Sequence, residues 1–122
     1  MPELDGVRVL VVEDEGAVAL MLEDMLEELG CEIAASVATV ARAEEAVRSN
    51  AVDVALLDVN LAGETTFGFA RELGRRPIPF VFSTGYGDDG LPPDLQDRPV
   101  LTKPFTPMDL RRALVSVLPT TD

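Results

Sequence analysis

Short apolar runs alternate with helix-like segments along the whole chain of 122 residues. The run at 52–57 is almost wholly apolar, as in a strand that is covered on both faces. Between the runs, apolar residues recur at helical spacing, as Val18, Leu22, Met25 and Leu29 do. Five such strand–helix repeats favour an α/β fold, a doubly wound five-stranded parallel sheet with helices on both faces. We predict strands at 7–12, 33–37, 52–57, 79–83 and 99–102, and helices at 15–29, 39–49, 67–73 and 107–118.

The fourth helix of this pattern is the weakest. The segment 87–97 reads GDDGLPPDLQD, and its two glycines and adjacent prolines disfavour a regular helix. We expect one or two turns or a loop there, and we expect Gly30 to end the first helix. The length fits a single domain over 1–122, with flexible ends at 1–5 and 119–122.

Composition narrows the class of partner. The formal net charge is -12, with 22 acidic and 10 basic residues. Nucleic acids and anionic membranes are polyanions that need a basic patch, so we expect neither as a partner. The sequence shows no signal peptide and no membrane span, which predicts a cytoplasmic protein. The single cysteine, Cys31, cannot form an internal disulfide and is expected to be a small buried residue.

Reactive side chains follow four of the predicted strands. Glu13 and Asp14 follow the first strand, Asp58 the third, Thr84 the fourth and Lys103 the fifth. The carboxyl ends of parallel strands meet at one edge of the sheet, where α/β proteins form their sites. Three clustered carboxylates would repel one another unless a hard cation lay between them.

Each of these residues also has a purely structural explanation. Acids after a strand favour the start of a helix, Asp58 could cap one, Thr84 could be a turn hydroxyl, and Lys103 could be a solvated lysine. Four such coincidences at four strand ends are harder to accept than one shared site.

The motifs Glu13-Asp14, Asp58, Ser83-Thr84-Gly85 and Lys103-Pro104-Phe105 resemble the receiver domains of two-component response regulators. The resemblance covers essentially the whole chain, with the motifs in the same order and spacing. It implies a flavodoxin-like fold with strand order 2-1-3-4-5.

The resemblance also implies roles for these residues. Asp58 would be the phosphoacceptor, Asp14 a direct Mg²⁺ ligand, and Glu13 a second acidic ligand that acts directly or through water. The main-chain carbonyl of Asn60 would complete the protein's share of the metal sphere. Thr84 and Lys103 would bind phosphoryl oxygens, and Pro104 would form the cis bond that aims the lysine. Thr84 would act as a switch when it is drawn inward.

Two positions bear on how such a switch would work here. Most receivers carry Tyr or Phe where this chain has Val100, so the usual aromatic coupling cannot operate. The stretch 82–86 (FSTGY) resembles a subset of stand-alone receivers in which the following loop carries the change. Glycines including Gly85 lead us to expect a loop that is mobile until activation. Tyr86 and Asn60 would flank the phosphoryl group, with Tyr86 either excluding water or only covering the loop.

Three apolar residues of the first helix lie off its core stripe, namely Ala17, Leu20 and Met21. In the family, this face docks the helical bundle of the phosphodonor. The alternative is a widened core stripe with scattered exposed apolar groups.

Together these features predict a stand-alone receiver, not an enzyme with turnover on an external substrate. It would take a phosphoryl group from a histidine kinase or a histidine phosphotransfer protein and act on an unknown downstream protein, or serve as a phosphate shuttle or sink. A receiver-like module that binds without phosphorylation is one alternative. An aspartyl-phosphate phosphatase of the haloacid dehalogenase type is another, but its Asp-x-Asp nucleophile motif is absent from the first strand.

Overall fold

A central parallel sheet of five strands organises the computed structural model, which describes residues 3–85 and 90–119. The strands of the chain are β1 (Arg8–Val12), β2 (Glu32–Val37), β3 (Val54–Asp58), β4 (Asn60–Leu61), β5 (Glu64–Thr65), β6 (Phe80–Thr84) and β7 (Val100–Thr102). The sheet has the order β2-β1-β3-β6-β7, while β4 and β5 form a separate hairpin. Without the hairpin this is the order 2-1-3-4-5, so the predicted fold is confirmed.

Helices cover both faces of the sheet. They are α1 (Gly16–Glu28), α2 (Val40–Ser49), α3 (Phe67–Arg75) and α4 (Pro107–Val117), with a 3₁₀ helix at Pro93–Leu95. This single 3₁₀ turn stands where we expected a short or irregular fourth helix. The first helix ends as predicted, because Gly30 adopts the left-handed conformation at φ 94°. Its N–H and that of Cys31 donate to Glu27 and Leu26 carbonyls, which closes the helix end.

The sheet separates two apolar cores. On one face α1 and α4 pack on β1, β3, β6 and β7, with Leu22, Leu26, Leu110 and Leu114 fully buried. On the other face α2, α3 and the 3₁₀ helix contribute Ala43, Phe69, Leu73 and Leu95, among others. Because β3 is buried on both faces, its first four residues, Val54 to Leu57, are apolar without alternation.

Some predicted boundaries and core positions differ from the structure. Strand β3 begins at Val54 because Asp53 is bonded to Arg8 instead, through its carboxylate at 2.9 Å and its N–H at 2.8 Å. In α1 the buried residues are Ala19, Leu22 and Leu26. The predicted Val18, Met25 and Leu29 are partly buried and pack against the same core, so the stripe is wider than the one that we predicted.

The β4–β5 hairpin was not predicted. Its turn residues Ala62 and Gly63 have φ values of 51° and 97°, which matches a type I′ turn. An alanine in the left-handed conformation gives no turn signal in the sequence.

The first described residues are anchored to the body of the protein. Leu4 is buried, and Glu3 forms an ion pair with Arg111 of α4. Within the range 1–5 that we expected to be flexible, this part is therefore packed.

As for membranes, none of the helices in the described part of the chain combines the length and apolar character needed to span one.

Candidate functional site

Three carboxylates meet at the carboxyl ends of β1 and β3. Oxygen atoms of Glu13, Asp14 and Asp58 all lie within 4.8 Å of one another. Asp58 is the last residue of β3, and the parallel register aligns the end of β3 with that of β1. Glu13 and Asp58 are buried, at 3% and 8% exposure, whereas Asp14 is more open to solvent. Carboxylate oxygens of this kind are the ligands that Mg²⁺ prefers, so the donor set fits that ion.

Lys103 joins two of these acids. Its Nζ donates to Glu13 Oε1 at 2.9 Å and to Asp58 Oδ2 at 3.2 Å. The lysine side chain is 21% exposed, and it enters the site from the end of β7. The expected meeting of Asp58 with Asp14 and Lys103 is therefore present, and the Glu13–Lys103 pair is an addition that the sequence did not indicate. The Lys103–Pro104 bond is cis, as the resemblance implied.

Burial and neighbouring charges shift the pKa values of Glu13 and Lys103. Burial raises the pKa of Glu13, and the charge of Asp58 adds to this effect against the hydrogen bonds from Lys103 and the Glu15 N–H. Burial alone would lower the pKa of Lys103, but Glu13 and Asp58 outweigh it and the net pKa is raised. The ammonium is thus held in its charged form between the two carboxylates.

Asn60 lies next to the acid cluster. Its main-chain N–H donates to Asp58 Oδ1 at 3.3 Å, and its side-chain Oδ1 accepts from the Gly63 N–H at 2.7 Å. The side chain is therefore used to close the β4–β5 turn. The main-chain carbonyl of Asn60 as a metal ligand stays a prediction.

Strand β6 brings Thr84 to the same edge of the sheet. Ser83 is aligned with Asp58 in the register, and Thr84, the next residue, is 6% exposed. The Thr84 carbonyl accepts from the Lys103 N–H at 2.8 Å. Gly85 follows Thr84 and is exposed. In the neighbouring strand β7, Val100 is aligned with Phe82 of β6. Tyr86 lies outside the described residues, as does part of the loop that we expected to be mobile.

One buried residue of the site was missed in the sequence analysis. Thr66 is fully buried, and its hydroxyl donates to the main-chain carbonyl of Asp58 at 2.8 Å. In the sequence, the pair Thr65-Thr66 before a helix indicates only a cap.

The apolar side chains of α1 that point away from the core are exposed. Leu20 is 64% and Met21 40% exposed, and Ala17 lies on the same open side of the helix. Met108, on the first turn of α4, is 52% exposed and was not singled out from the sequence. Both helices cover the same face of the sheet.

The sequence model of the response regulator receiver domain matches residues 9–115. The chain belongs to the response regulator receiver family. This receiver is similar in structure to SdrG from Sphingomonas melonis Fr1, with a TM-score of 0.82 and 46% identity over 91% of this chain and 95% of that chain. The BeF₃-activated conformation of SdrG from Pseudomonas melonis Fr1 also matches, with a TM-score of 0.78 and 45% identity over 89% and 93% of the two chains.

Two further relatives show how widely the receiver fold is used. The response regulator REC domain of PhyR from Erythrobacter litoralis has a TM-score of 0.75 and 31% identity, with 97% of each chain covered. The transcriptional regulatory protein YvrH from Bacillus subtilis (strain 168) is 30% identical over 113 residues, 88% of this receiver. The receiver spans about half or less of the length of the curated relatives that it matches.

Proposed function

We propose that this receiver is a Mg²⁺-dependent phosphoacceptor of a two-component system, with Asp58 as the residue that is phosphorylated. The observation that carries the proposal is the position of Asp58, a buried carboxylate in an acidic cluster whose Oδ2 is 3.2 Å from the Lys103 ammonium. The similarity to the BeF₃-activated conformation of SdrG supports it, because that relative has an activated form.

The chemistry follows from the charges. An Asp58 oxygen attacks phosphorus, the bond from phosphorus to the donor's leaving group breaks, and an acyl phosphate forms. Phosphoryl transfer needs in-line positioning and neutralisation of the phosphoryl oxygens. Lys103, now bonded to Asp58, can turn to a phosphoryl oxygen, and the Thr84 hydroxyl can donate to another. Glu13, Asp14, Asp58 and the Asn60 carbonyl would hold Mg²⁺, which supplies two positive charges to the developing anion.

Phosphorylation with acetyl phosphate tests the proposal. We expect a slower-migrating band on Phos-tag gels with Mg²⁺, little or none with EDTA, and none in Asp58→Asn. Asp97→Asn is a matched control, because Asp97 has an 84% exposed side chain outside the cluster. Labelling that persists in Asp58→Asn would overturn the assignment, and a wild-type protein that is never labelled would favour the binding module without phosphorylation.

For the phosphodonor, we propose that a histidine kinase or a histidine phosphotransfer protein docks on α1. The exposed side chains of Leu20 and Met21 support this, since large apolar groups are seldom left open without a use when they cluster. Leu20→Glu should slow transfer from the donor but leave labelling by acetyl phosphate unchanged. Ala41→Glu adds the same charge to an exposed position on the opposite face of the sheet and serves as control. Equal loss of both reactions in Leu20→Glu would indicate misfolding, whereas unchanged transfer from the donor would contradict the docking proposal.

We propose that the output depends on the segment after Thr84. Within its described part, Gly90 has φ 88° and the 3₁₀ turn is tied to α3 by a bidentate Arg71–Asp94 pair. This arrangement holds the described end of the segment against α3. Amide NMR with and without Mg²⁺ and BeF₃⁻ should show 85–92 ordering on activation. Equal order in both states would refute the idea.

The resulting role is that of a regulator and not an enzyme with an external substrate. The phosphorylated receiver would act by contact with a downstream protein, or would pass on or absorb phosphate from a shared kinase.

A further inference from the structure

Thr66 makes a hydrogen bond that its position in the fold does not require. It occupies the N-cap position of α3, where a threonine oxygen usually accepts from a main-chain N–H of the first turn. Thr39 and Thr106 do this at α2 and α4, accepting from Arg42 N at 3.2 Å and Asp109 N at 3.1 Å. Thr66 forms no such cap in the described structure, and its hydroxyl donates to the Asp58 carbonyl instead.

This bond supplies a donor at the end of a strand. The register of β1 with β3 ends at the pair Val12–Leu57, so Asp58 lies one residue beyond it. A buried main-chain carbonyl at that point needs a donor from elsewhere. The fully buried Thr66 hydroxyl is that donor, at 2.8 Å.

The same residue closes the loop that carries Asn60. The Thr66 N–H donates to the Val59 carbonyl at 3.0 Å. Val59 and Thr66 are the residues next to the pair Asn60–Thr65, on the side away from the turn of the β4–β5 hairpin. Hydrogen-bonded and non-hydrogen-bonded pairs alternate in an antiparallel ladder. Asn60–Thr65 is therefore a pair that does not exchange main-chain bonds, and the Asn60 carbonyl faces away from the hairpin. The Asn60 N–H points to Asp58 Oδ1.

We propose that Thr66 is a positioning residue for the metal and phosphoacceptor site. Its hydroxyl and N–H fix the main-chain carbonyls of Asp58 and Val59, and thereby set where the Asp58 carboxylate and the adjoining Asn60 carbonyl lie. This deepens the proposed function and rests on it, because it takes Asp58 as phosphoacceptor and the Asn60 carbonyl as ligand. Groups that orient metal ligands typically contribute about 10- to 100-fold to metal affinity.

Thr66→Val and Thr66→Ser test the hydroxyl, because valine keeps the shape of threonine and serine keeps the oxygen. We expect Thr66→Val to weaken Mg²⁺ binding, measured by calorimetric titration with MgCl₂, by about tenfold. The initial rate of labelling by acetyl phosphate at fixed sub-saturating Mg²⁺ should fall by a similar factor. Thr66→Ser should stay within about twofold of wild type in both measurements. Thr65→Val, an exposed change in the same hairpin, should also stay close to wild type.

A role in stability alone would give a different result. Phe69→Leu, a core change in the same helix, lowers stability without touching the site, and it should leave Mg²⁺ affinity unchanged. Wild-type affinity and rate in folded Thr66→Val would overturn the proposal. If Thr66→Val does not fold, Thr66→Ser decides, because a folded serine variant with tenfold weaker Mg²⁺ binding would show that the hydroxyl is not the cause. A wild-type protein without Mg²⁺ affinity or labelling would instead mark failure of the proposed function.

Discussion

Single residues of this receiver show how burial and backbone conformation set local chemistry. Cys31 is buried at the end of α1, and burial, with the charge of Asp5 adding to it, raises the pKa of its thiol to about 11. The thiolate is the reactive form of cysteine, so this residue is expected to be inert in the folded protein. That agrees with the interpretation of Cys31 as a small buried residue.

Cys31 therefore predicts a pH dependence of stability. An unfolded thiol has a pKa of about 8.5 and the folded one is raised, so folding favours the protonated form. The contribution of Cys31 is complete below pH 8.5 and is lost as the pH rises toward 11, where the loss reaches on the order of 3 kcal/mol. Urea unfolding of wild type and Cys31→Ala across pH 7.5–10.5 should show the extra decline in wild type only. Parallel curves would contradict the prediction, as would rapid thiol labelling of the native protein at pH 8.

Ala62 has a left-handed backbone conformation that an alanine side chain does not favour. It has φ 51° at the first turn position of the β4–β5 hairpin, followed by Gly63. Asn-Gly is the preferred pair for such a turn, so Ala62→Asn should stabilise the protein by about 0.5 to 1 kcal/mol in urea unfolding. Ala41→Asn, in an exposed helical position, should instead cost up to about 0.7 kcal/mol. A destabilised Ala62→Asn would show that the turn does not hold in solution.

At the scale of elements, features set by local sequence were easier to predict than features set by strand pairing. Gly30 ends α1 as its sequence position indicates, and the apolar β3 is buried on both faces. The β4–β5 hairpin was missed because each of its strands has two residues, too few to show alternation. The start of β3 was misplaced because the Asp53–Arg8 bonds join residues 45 apart in the chain. Such contacts are not visible in a local window of sequence.

The α1 terminus gives a prediction about an element. Gly30 has φ 94°, and an added Cβ would lie against the side chain of Asp5 and 3.3 Å from its Cα. Gly30→Ala should therefore lower the free energy of unfolding by about 1 to 2 kcal/mol. Gly68→Ala is the matched control, because Gly68 is helical with nothing within 4 Å of the added Cβ, and it should gain about 0.5 to 1 kcal/mol. Equal effects of the two changes would contradict the left-handed cap.

Over the whole molecule, the sequence predicted which strand ends converge but not the contacts made there. Glu13, Asp14, Asp58 and Lys103 come together because parallel strands present their carboxyl ends to one edge. That rule needs only element order. The Glu13–Lys103 bond and the Thr66 hydroxyl depend on side-chain rotamers and on the hairpin, which the order of elements does not fix.

The clustered acids predict a metal-dependent stability of the folded protein. Glu13, Asp14 and Asp58 with Lys103 leave two net negative charges when all are ionised. At 100 times its dissociation constant, an ion that binds only the folded state adds about 2.7 kcal/mol, which is roughly 10 °C in melting temperature for this size. We expect this rise with MgCl₂ over NaCl of equal ionic strength, and a much smaller one in Asp14→Asn. The same rise in both proteins would assign it to general screening of the net charge of -12.

The division of the apolar interior by the sheet has a consequence for how such a protein can diversify. The layer of α1 and α4 and the layer of α2 and α3 form separate apolar clusters on the two faces of the sheet. Substitutions that remodel one layer can leave the other in place, so the exposed surface of α1 and that of α2 and α3 can change independently. A library that randomises the exposed positions of α2 and α3 should therefore retain the layer of α1 and α4, with the proposed docking surface of α1, while the opposite surface changes.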